Sequence, residues 1–301
     1  MLIHIVRPGE TAYSIAARYG VAPWRLLSDN GLTPESPPAV GQALVVLFPA
    51  ETYTVAAGDS LYSVAVRYGT TVKALLRNNW FLGGRTAVSP GQELVIRYTA
   101  EKLRAMAVNA YAYPYINRNL LTQTVSYLTY LTAFTYGIRE DGSLVELDDE
   151  VLIGAARARG VAPLMHLSTL TEEGGFSNAL AHLVLTDMRV REALIGNIIE
   201  TLRRKGFAGL DVDFEFVYPK DREAYAGFLN NLHARLAAEG YPLFAALAPK
   251  TSDNQPGELY EAHDYALVSA AVDAVLLMTY EWGYTYGPPM AVAPIPSVRR
   301  V

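Results

Sequence analysis

Three observations in this 301-residue chain predict an α/β fold: a (β/α)8 barrel stopping after about six strands, preceded by two small βααβ modules. The N-terminal third repeats itself, which marks two copies of one small unit. The remainder alternates β-prone runs with helical stretches, the pattern of parallel strands joined by crossover helices. Residues 207–215, Phe-Ala-Gly-Leu-Asp-Val-Asp-Phe-Glu, set Asp211, Asp213 and Glu215 at every second position among apolar neighbours.

The repeat aligns residues 4–20 with 53–69 at a constant offset, matching Gly9, Tyr13, Ser14, Arg18, Tyr19 and Gly20 with Gly58, Tyr62, Ser63, Arg67, Tyr68 and Gly69. Each copy opens on a short β run, then reaches a turn of glycine, acid and hydroxyl residue: Gly9-Glu10-Thr11 and Gly58-Asp59-Ser60. Thr11 and Ser60 are suited to cap the helix that follows. Gly20 and Gly69 end it, because a left-handed C′ residue is easiest for glycine. A second short helix carries Leu26-Leu27 or Leu75-Leu76 and leads to Asn30 or Asn79. A Gly-Gln turn then opens the closing strand. The expected domains are 1–49, 50–100 and 101–301.

Strands of the third domain are expected near 105–112, 130–136, 162–167, 209–216, 243–248 and 274–280, with helices near 149–159, 187–205, 220–239 and 258–271. About 200 residues hold these units, against roughly 250 in a typical barrel, so two strands are missing. In the fourth strand a side-chain period of two puts Asp211, Asp213 and Glu215 on one face and Leu210, Val212 and Phe214 on the other. Crowded carboxyls push one another's pKa values apart, as acid/base chemistry requires. An edge strand with a solvated acidic face is the bland alternative. Barrel active sites lie at the C-terminal strand ends, which places Glu215 outermost, Asp213 deeper and Asp211 deeper still.

Composition narrows the partners. The net charge is −5 and no Lys/Arg-rich stretch exists, so nucleic acid is excluded as the main partner and a neutral polymer fits better. Cysteine is absent and the five histidines are scattered without ligand spacing. No metal site and no cofactor are expected. His166, after the third strand, reads as structural. The N-terminus lacks the features of a signal peptide, and no apolar run approaches the roughly 20 residues a spanning helix needs. Synthesis in the cytoplasm without membrane insertion is the expectation.

Both repeats resemble the LysM module. The resemblance implies binding of N-acetylglucosamine-containing glycans, peptidoglycan or chitin, through Gly9, Glu10, Thr11 and Asn30 in the first copy and Gly58, Asp59, Ser60 and Asn79 in the second. The acid ladder resembles the glycoside hydrolase family 18 signature Asp-Gly-x-Asp-x-Asp-x-Glu: Gly209, Asp211, Asp213 and Glu215 match, and Ala208 replaces the first Asp. Residues 278–284, Met-Thr-Tyr-Glu-Trp-Gly-Tyr, are similar to the family's Met-x-Tyr-Asp/Glu segment. With the LysM context, the likeness is to the branch that degrades spore-cortex peptidoglycan, which implies deposition in a spore coat or cortex. It implies substrate-assisted retaining hydrolysis with Glu215 as acid/base, Asp213 on the acetamido N–H, Asp211 supporting Asp213, and Tyr280 on the acetamido oxygen. Glu281 is then a candidate sugar-hydroxyl ligand, and Trp282, Tyr284, Tyr111, Tyr113 and Tyr136 are candidate aromatic contacts. Two other readings remain open: a chitinase, or a non-catalytic glycan-binding or coat protein with an incomplete barrel.

Overall fold

The computed structural model describes residues 1–35, 38–99, 104–171, 175–283, 286–287 and 291–301. They form two compact units: Met1–Met106 with Thr122–Tyr127 and Tyr280–Val298, and Ala107–Leu121 with Leu128–Thr279 and Arg299–Val301.

The first unit holds the two repeats. One is built from β1 (Leu2–Ile5), α1 (Ala12–Tyr19), α2 (Pro23–Asp29) and β2 (Ala43–Val46), the other from β3 (Pro49–Thr54), α3 (Leu61–Arg67), α4 (Val72–Asn78) and β4 (Glu93–Tyr98). In each, the two strands pair antiparallel, Leu2 opposite Val46 and Tyr53 opposite Leu94. Thr11 and Ser60 cap their helices through reciprocal bonds: Ser14 N donates to Thr11 Oγ1 at 3.1 Å while Thr11 N donates to Ser14 Oγ at 2.9 Å, and Ser60 and Ser63 repeat this. Serine thus fills the place of the usual Glu in a capping box. Ile15, Leu26 and Leu44 form the first small core, and Leu61, Leu75 and Leu94 the second.

A buried amide ties each core together. Asn79, fully buried, donates through Nδ2 to Leu75 O (2.8 Å) and Val95 O (2.9 Å), and its Oδ1 accepts from Val95 N (2.7 Å). Asn30 makes the same three bonds, to Leu26 O (2.8 Å), Val45 O (2.8 Å) and Val45 N (2.7 Å). These bonds satisfy helix-end carbonyls and backbone groups of the closing strand. Asn30 and Asn79, expected from the sequence to contact glycan, use their side chains to latch helix to strand.

The turn acids are also committed inward. Glu10 Oε2 accepts from Arg7 N (2.9 Å) and lies 2.7 Å from His4 Nε2, while Oε1 pairs with Arg18 at 2.6 Å. The Arg7 backbone N–H, then His4 and Arg18, hold its carboxyl down at about 2. Asp59 accepts from Tyr53 OH (2.5 Å) and Ala56 N (2.9 Å), and the Tyr53 hydroxyl is the main reason its carboxyl is held low. Between the repeats, Arg25 pairs with Glu93, and Trp24 meets Phe81 edge-on at 6.2 Å.

The second unit is a parallel sheet with helices. Its strands are β5 (Asn109–Ala112), β6 (Tyr130–Ile138), β8 (Ala162–Ser168), β9 (Gly209–Asp213), β10 (Leu243–Leu247) and β11 (Ala274–Leu277), in the order β5-β6-β8-β9-β10-β11, with the short β7 (Leu144–Val145) antiparallel to β6. Among the described residues the path runs from β5 to β11 without closing. Helices α5 (Arg118–Thr124), α6 (Glu150–Ala158), α7 (Asn178–Thr186), α8 (Met188–Lys205), α9 (Arg222–Ala237) and α10 (Tyr265–Ala271) come between the strands in the chain, and a last turn, α11 (Ile295–Val298), falls in the first unit. Helices α5 and α7 and strand β7 are additions to the elements expected from sequence, and α10 is shorter than expected because Pro256 and Gly257 introduce turns before it. The sheet is thus the six-strand part of the expected barrel type.

Two glycines set the path into β9. Gly206 ends α8 at φ 66°, and Arg157 closes over it, donating to Lys205 O at 2.6 Å and Gly206 O at 2.7 Å. At Gly209 a Cβ would sit 2.8 Å from Pro242 O and Cγ, so no larger residue fits the pairing with β10. On β9, Leu210 and Val212 are buried, and Phe214 beyond them stacks on Tyr225 and Phe228 of α9 at 5.8 and 5.6 Å.

Replacing Asn79 by Ala strands two carbonyls and one N–H in a dry core. Thermal or urea unfolding of the N-terminal unit should show a loss of about 1–3 kcal/mol, and an unchanged midpoint would refute the latch. Glu10 gives a pH signature. Its folded carboxyl sits at about 2 against an ordinary 4.5, so its stabilisation is complete above 4.5 and drains away as pH falls towards 2. Acid titration of Glu10→Gln should lack that component while retaining the transitions of the wild type elsewhere.

Candidate active site

Register alone assembles the site. Parallel pairing sets His166 of β8 opposite Asp211 of β9, and Ser168 opposite Asp213. Alternation then gives all four side chains one face, away from Leu210 and Val212. Asp211, Asp213 and His166 are only 1%, 2% and 0% exposed, so the carboxyls are withdrawn from water rather than solvated on an edge. Tyr111 of β5 donates its hydroxyl to Asp211 Oδ2 at 2.8 Å. Phe134 of β6 covers the His166 ring with centroids 4.5 Å apart, and Tyr111 meets it edge-on at 5.1 Å.

Burial governs the electrostatics here. It pushes the Asp211 carboxyl up, His166 and the Tyr111 hydroxyl oppose the shift, and the neighbouring Asp213 adds to it. Asp211 thus holds a proton more readily than an ordinary carboxyl does, as one member of a proton-sharing pair must. The Tyr225 phenol is pushed up by burial and then by Asp213 and Asp211.

The end of β9 is fixed by a residue with no sequence signal. His263 is fully buried; its Nδ1 accepts from Ala248 N at 2.9 Å, so the proton must lie on Nε2, which donates to Phe214 O at 2.9 Å. Burial lowers its pKa further. This neutral imidazole pins the backbone between Asp213 and Glu215. Counting from local sequence cannot find it, because its partners lie far along the chain.

Glu215 stands two residues beyond Asp213, in the loop after β9 and half-buried, where the strand had been expected to run to 216. Tyr111 is brought to the ladder, but as a partner of Asp211 and not as an open stacking platform. Tyr113 and Tyr115 are the open rings just after β5, stacked at 5.0 Å and 48% and 81% exposed.

Tyr136 is a correction. It is fully buried, its hydroxyl donates to Asp149 Oδ2 at 2.6 Å, and Lys205 Nζ lies 5.3 Å over its ring. The register between β6 and β8 slips between Ala133 and Tyr136, which puts Tyr136 opposite Leu167 and not on the face of His166. Its candidacy as a sugar contact ends there. Tyr280, Glu281 and Trp282 belong to the first unit: Tyr280 is 36% exposed, Glu281 has φ 58°, and Trp282 is half-buried with its backbone N–H donating to Val292 O at 3.4 Å. Tyr284 lies outside the described residues.

In the repeats, Gly9 and Gly58 take φ of 81° and 88° with open space around them, while Glu10, Thr11, Asp59 and Ser60 are occupied by the bonds described above. Sequence reasoning passed over Trp24 and Trp80, which are 45% and 40% exposed and line, with Phe81, a crevice of about 410 Å³.

Comparison with known proteins agrees with this geometry. Glycosyl hydrolases family 18 matches residues 112–293, and the LysM domain matches residues 4–46 and 53–97. The chain is 38% identical over 299 residues to the cortical fragment-lytic enzyme of Bacillus anthracis, covering 98% of this chain and 69% of that protein. Crystal structures of the spore cortex-lytic enzyme SleL superpose on it: that of Bacillus cereus with TM-score 0.68 and 36% identity, covering 100% of this chain and 70% of that one. The Bacillus megaterium enzyme gives TM-score 0.69 and 33% identity over 99% and 69%. A signature on a buried carboxylate face, a family match over most of the second unit and relatives aligned over nearly all of this chain lead to one conclusion: the chain belongs to glycosyl hydrolases family 18 and carries two LysM domains.

Proposed function

We propose that this glycoside hydrolase cleaves spore-cortex peptidoglycan at N-acetylglucosamine by substrate-assisted retaining catalysis, with its LysM modules holding the polymer. The observation that carries the reading is the burial of Asp211 and Asp213 on one face, with Glu215 half-exposed two residues beyond. That gradient divides the labour among three acids that look alike in sequence. The relatives named as cortex-lytic enzymes direct the choice of substrate.

In the first step Glu215 gives its proton to the glycosidic oxygen as the bond from C1 to that oxygen breaks. The acetamido carbonyl oxygen of the same sugar closes on C1, so the bond lost is replaced within the substrate and the protein supplies no nucleophile, an exception to the two-carboxylate scheme. Asp213 accepts the acetamido N–H and bears negative charge opposite the cationic oxazolinium ring. Asp211, held up by burial, keeps the shared proton while Asp213 is ionised. In the second step Glu215 takes a proton from water as the water oxygen attacks C1 and the ring opens. Tyr280 is assigned to the acetamido oxygen and Glu281 and Trp282 to sugar contacts on the likeness of residues 278–284 to the family segment.

For the modules, Gly9 and Gly58 with their neighbours offer turn backbone to a glycan, since most of the surrounding side chains are occupied internally. The half-open indoles of Trp24 and Trp80 supply flat apolar faces on which the C–H face of a pyranose can pack. Two weak sites on one polymer gain avidity.

Purified cortex fragments incubated with the protein should release reducing N-acetylglucosamine ends, and Glu215→Gln should slow that release by roughly 10²–10⁴-fold. Equal rates for the two proteins would end the proposal; faster turnover of chitin oligomers than of cortex fragments would move it to a chitinase. In a sedimentation assay with insoluble peptidoglycan, the double variant Trp24→Ala, Trp80→Ala should bind at least several-fold more weakly while hydrolysing soluble fragments at the wild-type rate. Undiminished sedimentation would remove the crevice from the binding surface.

A further inference from the structure

Three buried polar atoms on the carboxylate face have no hydrogen bond among the described residues: Asp211 Oδ1, Asp213 Oδ1 and His166 Nε2. One dry, unpaired polar atom is costly, and a cluster of them on one face marks a place where partners change during function. His166 Nε2 lies 3.5 Å from Asp213 Oδ2, within ion-pair reach but longer than a closed hydrogen bond. Catalytic hydrogen bonds are often long without substrate and shorten in the complex.

The other side of the imidazole is held firmly. Nδ1 is 2.7 Å from Thr135 Oγ1, and Thr135 Oγ1 is 2.9 Å from Ser168 Oγ. Hydroxyls both donate and accept, so this chain can run in either direction. When Thr135 donates to Nδ1, a neutral ring carries its hydrogen on Nε2, facing Asp213; when Nδ1 donates to Thr135, a hydrogen on Nε2 makes the ring cationic. Phe134 and Tyr111 pack on the ring and keep it from swinging away.

The groups around His166 leave it a distinct task. Asp211 and Asp213 face it from β9, and Tyr111 faces it from β5 with its hydroxyl given to Asp211. Tyr225 on α9 stays neutral, and His263 has both nitrogens engaged on backbone. Ser168, opposite Asp213, has a hydroxyl that accepts from Thr135 and carries no charge, so among these groups His166 is the one that can turn a positive charge towards Asp213.

We propose that His166 is a positioning residue of the carboxylate ladder: its Nε2–H faces Asp213 and offsets the negative charge that Asp211 and Asp213 share, so that Asp213 is ionised when the acetamido group arrives. This rests on the roles proposed above for Glu215, Asp213 and Asp211. A donor or cation beside a carboxylate favours its ionised form, and His166 opposes the upward push that burial gives the Asp211 pKa. Removing it raises that pKa, and the acid limb of the rate profile then moves to higher pH.

The test is kcat and KM against pH for the wild type, His166→Asn, Thr135→Val and Glu215→Gln on soluble cortex fragments. His166→Asn should lose about tenfold or more in kcat with KM within about twofold, and its acid limb should rise by about one pH unit. Thr135→Val, which frees Nδ1, should move the limb the same way by less. If the limb stays at its wild-type position in both folded variants, the proposal is overturned, whatever the loss in rate, because a packing defect alone does not move it. Should His166→Asn fail to fold, Thr135→Val decides by the same criterion. Glu215→Gln separates the two levels: activity equal to wild type removes the ladder reading and this proposal with it, whereas an inactive Glu215→Gln beside unmoved limbs removes only the role of His166.

Discussion

Keeping Asp211 and Asp213 out of water on one face of a parallel strand is the constraint on which the second unit is organised. A buried carboxylate without compensation is strongly disfavoured, so neighbours must donate, share protons or carry charge. Tyr111 reaches in from β5, and His166 stands in register from β8. The opposite face of β9 is apolar and continues into Phe214, stacked on α9. The strand is thereby anchored on one side so that chemistry can be exposed on the other.

Anchoring continues past the strand end. Regular pairing of β9 stops at Asp213, and the chain then turns towards the half-buried Glu215. His263 prevents this turn from being slack, because a neutral imidazole between Ala248 N and Phe214 O ties β9 to the end of β10. Glu215 therefore gains partial access to water without losing its position relative to the buried acids. A sequence that ran as regular strand through 215 would have fixed all three acids in one array and lost that gradient.

The repeats solve a smaller version of the same problem. Each is too small to bury much apolar surface, and a single amide, Asn30 or Asn79, joins helix end to strand by three backbone bonds. The turn acid is held inward by the matching arginine in both copies, Arg18 for Glu10 and Arg67 for Asp59, and by a second partner that differs, His4 in the first and Tyr53 in the second. Position 4 of the first copy aligns with position 53 of the second, so the architecture kept the contact while its chemistry changed from imidazole to phenol. Polar residues at matching places in a repeat can thus be structural even where they resemble ligands.

Much was legible in the chain itself. The duplication, the six parallel strands and the carboxylate face follow from periodicity and local turn chemistry, which depend on neighbours a few residues away. By itself the sequence determined that Asp211 and Asp213 share a face opposite Leu210 and Val212, and that Thr11 and Ser60 begin helices. Tertiary structure alone decided that Tyr136 leaves that face, because a register slip against β8 reverses its direction, and that Asn30 and Asn79 turn inward, because their carbonyl partners lie on strands reached only after folding. It also decided that His166 and His263, alike in sequence, differ in kind: both ring nitrogens of one are taken by backbone, while one nitrogen of the other is left facing a carboxylate.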